Sequence, residues 1–375
     1  MPSLTDSLRT EIESQGPISF ARFMAQALYR PELGYYERAA GRIGRGGDFY
    51  TSVSVGSVFG ELLARRFAAW LGQIPGERLL ILEAGAHDGR LAADILSALR
   101  KLAPDPARRI GYGLLEPSPQ RREWQAQTLR EFADRVTWYA SLNELPPSSV
   151  AGVIFGNEFL DALPVHRLGW DAPARRWFEW RVGWVGQRFC WVRPPRSATG
   201  DTLAAPLAEA LQTEFGDWLR PALLAALPDG YTLEVRPAAT AWWRQAAKVL
   251  RAGWLVAIDY GFTTAEALRP ERTQGTARAY ARHRYADDLL AAPGEQDLTA
   301  HVNFTPLIAA GEAAGLTTEG LSSQASFLVA TAEAAGEVET FGRWKPAQRR
   351  QFQTLVHPAH LGERFKVLVQ SRPAR

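Results

Sequence analysis

From residue 79 onward the chain alternates short apolar runs with longer amphipathic ones. LLILEAG opens at 79 and a segment of helical period runs to about 101. IGYGLLE follows at 110 to 116, a second helical segment starts near 118, VTWYAS spans 136 to 141, and AGVIFGN spans 151 to 157. Nearly continuous apolar runs suit strands covered on both faces, and the amphipathic stretches between them suit crossover helices, so the rhythm predicts a parallel sheet. Residues 165 to 195 alternate apolar with polar positions between turn signals such as GWDAPA and VGQ, which predicts a small antiparallel meander inserted in the frame. A helix over about 203 to 226, YTLEV at 231 to 235, a helix to about 250 and GWLVAIDYG at 253 to 261 resume the α/β rhythm. The tail offers a charged loop, a helical run near 305 to 314 and SFLVAT at 326 to 331 as a closing strand. Before 79 the chain reads as helical and loop-like, with the glycine-rich run GRIGRGGDFYTS at 41 to 52 forming a loop. Four segments result: a helical region over 1–78, a first core part over 79–164, an insertion over 165–230, and core completion over 231–375.

Composition narrows the function classes. With 46% hydrophobic and 22% charged residues, the chain lies in the globular range and can bury a sizeable core. The 43 basic residues barely exceed the 40 acidic ones, so the net charge of +3 describes no basic face and no nucleic-acid partner is expected. Cys190 is the single cysteine, which removes any internal disulfide or cysteine-built metal site and fits a reducing compartment. The histidines at 87, 166, 283, 301, 357 and 360 are scattered, so no metal site is expected. No run of 18 apolar residues is present, so no membrane insertion is expected. The first residues lack a signal-peptide core and carry Asp6, Glu11 and Glu13, from which a cytoplasmic location is expected. Five of the 13 tryptophans fall at 170, 177, 180, 184 and 191, where packing of the β-rich insertion explains them better than a ligand cage.

In an open parallel sheet, ligands lie beyond the carboxyl ends of the strands, and three such ends carry acids here. Glu83 precedes a turn with Gly85 and Gly89 that opens a helix. The GxGxxG spacing of a dinucleotide site is absent, which disfavours a nicotinamide oxidoreductase. A carboxylate before the turn suits a ligand with an ammonium group, such as the methionine part of S-adenosylmethionine; a purely structural turn is the other reading. Glu116 ends the second run, where it can accept from a ribose diol or, more blandly, favour a helix dipole. The run ending IFGNEFLDALP places Asn157, Glu158 and Asp161 where the reacting end of a ligand would lie. Asp161 could be only a cap; alternatively, Glu158 and Asp161 line an acceptor pocket, where carboxylates can bind a guanidinium in bidentate fashion and take up a proton.

With these residues in place, the sequence resembles the MidA family of S-adenosylmethionine-dependent methyltransferases, whose mitochondrial relatives assemble complex I and dimethylate an arginine on a partner subunit. The matching stretches are LYRPELGYY, GDFYTS, FGEL, the ExG turn, GNEFLDALPVHR, AIDYG, DLTAHVNF and FKVLV, spread from about Ile18 to Val369. The resemblance implies an α/β fold: a Rossmann-like, seven-stranded class I methyltransferase sheet with an N-terminal helical lid and an antiparallel β insertion. It implies S-adenosyl-L-methionine as cofactor, held by Glu83, Gly85, Ala86, His87, Gly89, Glu116 and Asn157. Glu158 and Asp161 are the implied catalytic residues, and Asp48, Thr51, His301 and Asn303 the substrate or lid residues. A protein substrate of respiratory-complex type is the implied partner. Two departures stand out. The turn reads EAGAHDG where the family has ExGPGRG, so His87 replaces a glycine and Asp88 a basic residue. The lid reads TSVS in place of TSPE, so Ser54 replaces a carboxylate. A catalytically inactive assembly protein is the alternative that these departures raise.

Overall fold

A computed structural model describes residues 3–38, 51–75, 78–102, 109–195, 203–269, 272–281, 284–334, 336 and 344–374. Two compact units compose it: Met1–Ala39 with Asp161–Ala241 and Phe262–Leu307, and Ala40–Leu160 with Trp242–Gly261 and Ile308–Arg375. The segment 1–78 is thus divided between the two units, as is the stretch from 231 onward.

Seven strands of the eight-stranded main sheet build the second unit. Its strands are β1 (Leu79–Ala84), β2 (Ile110–Leu115), β3 (Val136–Tyr139), β4 (Val150–Asn157), β5 (Leu250–Phe262), β6 (Thr317–Ser323) and β7 (Phe365–Arg372). They lie in the order β6-β7-β5-β4-β1-β2-β3. β1 runs parallel to β2 and β4, and β5 parallel to β4, while β7 is antiparallel to both β5 and β6. This is the sheet that the family resemblance implies. Ile81, Val153, Phe155 and Val256 are fully buried within it, each contributing about 1.5–3 kcal/mol of burial. The helices Val58–Leu71 and Arg90–Leu102 turn their apolar sides to this core, and Trp70 stacks on Trp254 of β5 with ring centroids 5.1 Å apart. SFLVAT is not the closing strand. It lies in the helix Gln324–Ala334, which buries Phe327, Leu328, Thr331 and Ala332, a spacing of helical period. The strand there is β6, whose sequence TTEGLSS is too polar to announce itself.

The first unit holds three small antiparallel sheets among the described residues. Thr232–Val235 pairs with His166–Asp171, which pairs with Arg176–Glu179. Ile18–Ser19 pairs with Arg181–Val185, which pairs with Arg188–Val192. Ala277–Ala281 lies between Arg284–Ala286 and Asp297–Ala300. The expected meander is therefore two hairpins in two different sheets. YTLEV does not resume the main sheet either, because a buried apolar strand carries the same pattern whichever sheet it joins. The single helix expected over 203–226 is two, Ala205–Phe215 and Pro221–Ala226, with Pro221 opening the second. The tryptophans pack as expected: Trp170 against Trp177, Trp180 against Phe178, and Trp184 against Phe189.

Candidate active site

The carboxyl ends of β1, β2 and β4 lie side by side, in register, in the second unit. Glu83 is the penultimate residue of β1 and sits opposite Leu114 and Phe155. Its side chain is buried and accepts a 2.6 Å hydrogen bond from the Tyr112 hydroxyl. Burial pushes the Glu83 carboxyl up to about 8; the Tyr112 bond pulls it down, and the charge of Asp88 pushes it further up. A carboxyl held in this state ionises readily when a cation arrives beside it.

The turn after β1 depends on conformations that favour glycine. Gly85 and Gly89 have φ of 76° and 83°, and a Cβ on Gly85 would lie 3.0 Å from Cδ2 of Phe159. His87 adopts φ 46°, so the residue that replaces the family's glycine keeps the left-handed turn. Its carbonyl accepts from Gln125 Nε2 at 3.0 Å, and its ring lies near Asp88 and Trp124. Asp88 turns to the helix that follows: Oδ1 accepts from the Arg90 amide at 3.2 Å and Oδ2 pairs with Arg90 Nε at 2.9 Å. Burial raises the Asp88 carboxyl, but His87 and Arg90 outweigh it and hold the group below the usual range. Ala86 is buried in the same turn.

Glu116, just past β2, is buried in a polar network. Oε1 accepts from the Ser118 amide at 2.9 Å and pairs with Arg121 Nη2 at 2.9 Å, while Oε2 accepts from Gln125 Nε2 at 3.1 Å. Trp138 Nε1 in turn donates to Gln125 Oε1 at 2.9 Å. Gln125 therefore ties the Glu116 carboxylate to the backbone of the glycine turn.

Beyond β4 the chain reverses. Asn157 is buried, with Nδ2 donating to Glu158 Oε1 at 3.2 Å and Oδ1 without a partner among the described residues. Glu158 takes φ 50°, and its Oε1 also accepts from the Ser52 amide at 3.2 Å. Ser52 is itself fixed by a 3.0 Å bond from Oγ to Gln324 Oε1. Thr51 caps the short helix Ser52–Val55 in a reciprocal box with Ser54. Ser54 thus fills the third helical position of that cap, where the family has its glutamate. Asp48 lies outside the described residues.

The remaining sequence-predicted residues belong to the first unit. Asp161 is buried, and its carbonyl accepts from the Ala300 amide at 2.9 Å. Asn303 accepts from the Thr305 amide at 3.2 Å and bonds to Thr264 Oγ1, so it stabilises the start of the helix Phe304–Ala313. His301 stands near Phe262; burial, then Arg272, Arg236 and Arg278, push its imidazole down to about 4, so it is neutral at neutral pH.

The family described as "Putative S-adenosyl-L-methionine-dependent methyltransferase" matches residues 62–322. This chain belongs to that family. Among its relatives is a mitochondrial protein arginine methyltransferase NDUFAF7 homolog of Drosophila melanogaster, 29% identical, the match covering 98% of this chain and 84% of that protein. The mitochondrial protein arginine methyltransferase NDUFAF7 of Mus musculus is 28% identical, with 96% and 82% covered. The crystal structure of a COG1565 superfamily member and "likely methyl transferase" from Burkholderia thailandensis, bound to S-adenosyl-homocysteine, is similar at 33% identity with a TM-score of 0.80, covering 98% of this chain and 92% of that one. The methyltransferase uses S-adenosyl-L-methionine. The relatives carry enzyme names, so the inactive-scaffold alternative gains nothing from them. They are also mitochondrial, which overturns the cytoplasmic expectation; that expectation rested on the composition of the first residues, which says little about where a protein works. No helix among the described residues is long and apolar enough to cross a membrane. Sequence reasoning gave this methyltransferase no role for Tyr112, Gln125, Ser52 or Asp259, each of which contacts a predicted residue or its loop. A buried glutamine or tyrosine next to a strand-end acid was the available signal, but its partner is fixed only by the fold.

Proposed function

We propose that the chain methylates the guanidinium of an arginine on a partner protein, with a respiratory-complex-type subunit as the first acceptor to test. Glu158 is the acceptor-side carboxylate on the second unit, and Asp161 enters as the second catalytic carboxylate on the strength of the sequence motif. One observation carries the reading: a glutamate in a left-handed conformation at a strand tip, with one carboxylate oxygen anchored by the Ser52 amide and by Asn157. Such conformations persist where the surroundings over-determine them, and functional sites are where they gather. The names of the relatives support arginine as the acceptor.

The strand tips fit the cofactor. The turn holds Gly85 and Gly89 at positive φ, and Asn157 Oδ1 is a buried acceptor with no partner among the described residues. Glu83 would hold the ligand's ammonium, Glu116 its ribose hydroxyls, and Ala86 and His87 would line the turn. When bound, the cofactor supplies an electrophilic methyl group on a sulfonium. The protein aligns the acceptor nitrogen for in-line attack, and Glu158 pairs with the guanidinium and helps remove the proton that methylation releases. Thr51 supports the Glu158 side by capping the helix that carries Ser52, while Asn303 and His301 enter as substrate residues on the strength of the sequence motif alone. The test is tritium transfer from labelled S-adenosylmethionine into captured partner proteins, read by residue. Label on arginine that is lost in Glu158→Gln supports the proposal; label on another residue type, or full transfer by the variant, overturns it.

A further inference from the structure

One buried acid in the second unit has contacts that core packing does not call for. Asp259 lies on β5, 1% exposed, and its carboxylate accepts three backbone N–H groups: Phe159 at 3.1 Å and Leu160 at 2.8 Å on Oδ2, and Tyr260 at 2.9 Å on Oδ1. β4 ends at Asn157, so the amides of Phe159 and Leu160 have left the sheet ladder and need another acceptor. They follow directly on Glu158, whose own amide donates to the Ile258 carbonyl at 2.9 Å, one residue before Asp259. β5 therefore holds three successive amides of the reversing loop, two of them through a single carboxylate. A non-glycine residue at positive φ needs such over-determination by its surroundings.

Phe159 extends the arrangement toward the cofactor turn. Its ring lies against Trp242 with centroids 5.0 Å apart, and it fills the space in front of two glycines: a Cβ would meet Phe159 atoms at 3.0 Å from Gly85 and at 3.2 Å from Gly156. The residue whose amide Asp259 holds is thus in contact with the turn after β1.

We propose that Asp259 is a positioning residue for methyl transfer: it fixes the 158–160 loop so that Glu158 is presented in one orientation, and through Phe159 it ties that orientation to the Gly85 turn. The inference rests on the reading of Glu158 as the acceptor-side carboxylate. Asparagine at 259 keeps one acceptor oxygen and loses the other, so Asp259→Asn loosens the loop without emptying its site.

The experiment measures initial rates of tritium transfer from S-adenosylmethionine into unfractionated extract protein, alongside calorimetric binding of S-adenosylhomocysteine, for the full chain carrying Asp259→Asn, Glu158→Gln or both. Asp259→Asn is expected to lose rate by about tenfold with homocysteine-ligand affinity nearly unchanged, and to cost little further rate in the Glu158→Gln background. Losses that multiply in the double variant overturn the positioning role, as does full rate in Asp259→Asn beside a slow Glu158→Gln. Full rate in Glu158→Gln overturns the acceptor reading and this inference together. Should Asp259→Asn fail to fold, Phe159→Leu keeps both amides and loosens only the contact with Gly85: a slowed rate supports the tie, and an unchanged rate overturns it.

Discussion

Replacing Glu83 with glutamine should stabilise the ligand-free protein in alkaline solution while weakening its hold on cofactor. The carboxyl is buried, meets the Tyr112 hydroxyl at 2.6 Å, and is pushed up to about 8 from an ordinary 4.5, chiefly by burial. A folded-state value above the unfolded one means that the group's contribution to stability is complete below the unfolded value. It is lost as pH rises toward the folded value, because the unfolded chain sheds its proton first. At about 1.4 kcal/mol per unit, the wild type should lose on the order of 3–4 kcal/mol relative to the uncharged variant between about pH 5 and pH 8. For a domain of roughly 150–250 residues that is a widening of the melting-temperature gap by about 6–16 °C. Scanning calorimetry across that pH range measures it directly. A gap that stays constant with pH, or a glutamine variant that is the less stable at pH 8, would refute the argument that Glu83 is a stored cost of cofactor recognition.

Two further substitutions probe the surrounding supports. Gln125→Leu removes the donor shared by Glu116 and the His87 carbonyl and strands the Trp138 indole. It should cost about 1–3 kcal/mol in chemical denaturation and weaken S-adenosylhomocysteine binding; a variant as stable and as tight-binding as wild type would show that the network is idle. Ser54→Ala breaks half of the reciprocal cap at Thr51 and should lower stability by about 0.5–1 kcal/mol with the transfer rate kept; a large drop in rate instead would place Ser54 at the acceptor.

The main sheet was legible because its central strands are buried on both faces and read as unbroken apolar runs, LLIL, GVIF and WLVAI. Their carboxyl ends could therefore be located, and with them Glu83, Glu116, Asn157 and Glu158. What the pattern could not convey is which sheet a strand joins. Thr232–Val235 is as buried as a core strand yet pairs with His166–Asp171, while β6 is polar enough to pass for a loop. Long-range polar partners were equally hidden. Asp259 lies about a hundred residues from the two loop amides it binds, and nothing in AIDYG says that its acid faces a loop rather than a ligand. The two departures from the family motifs looked like losses in the sequence. In the folded chain His87 supplies the same left-handed turn as a glycine, Asp88 holds the first turn of the following helix, and Ser54 completes a cap.

Calorimetric titration with S-adenosylhomocysteine at neutral pH, comparing wild type with Glu83→Gln, Glu116→Gln and Glu158→Gln, tests the site assignment most directly. One ligand per chain, with affinity reduced by about tenfold or more for the two strand-tip variants and kept in Glu158→Gln, is the predicted result. Undiminished affinity in both Glu83→Gln and Glu116→Gln would mean that the cofactor lies somewhere other than the tips of β1 and β2.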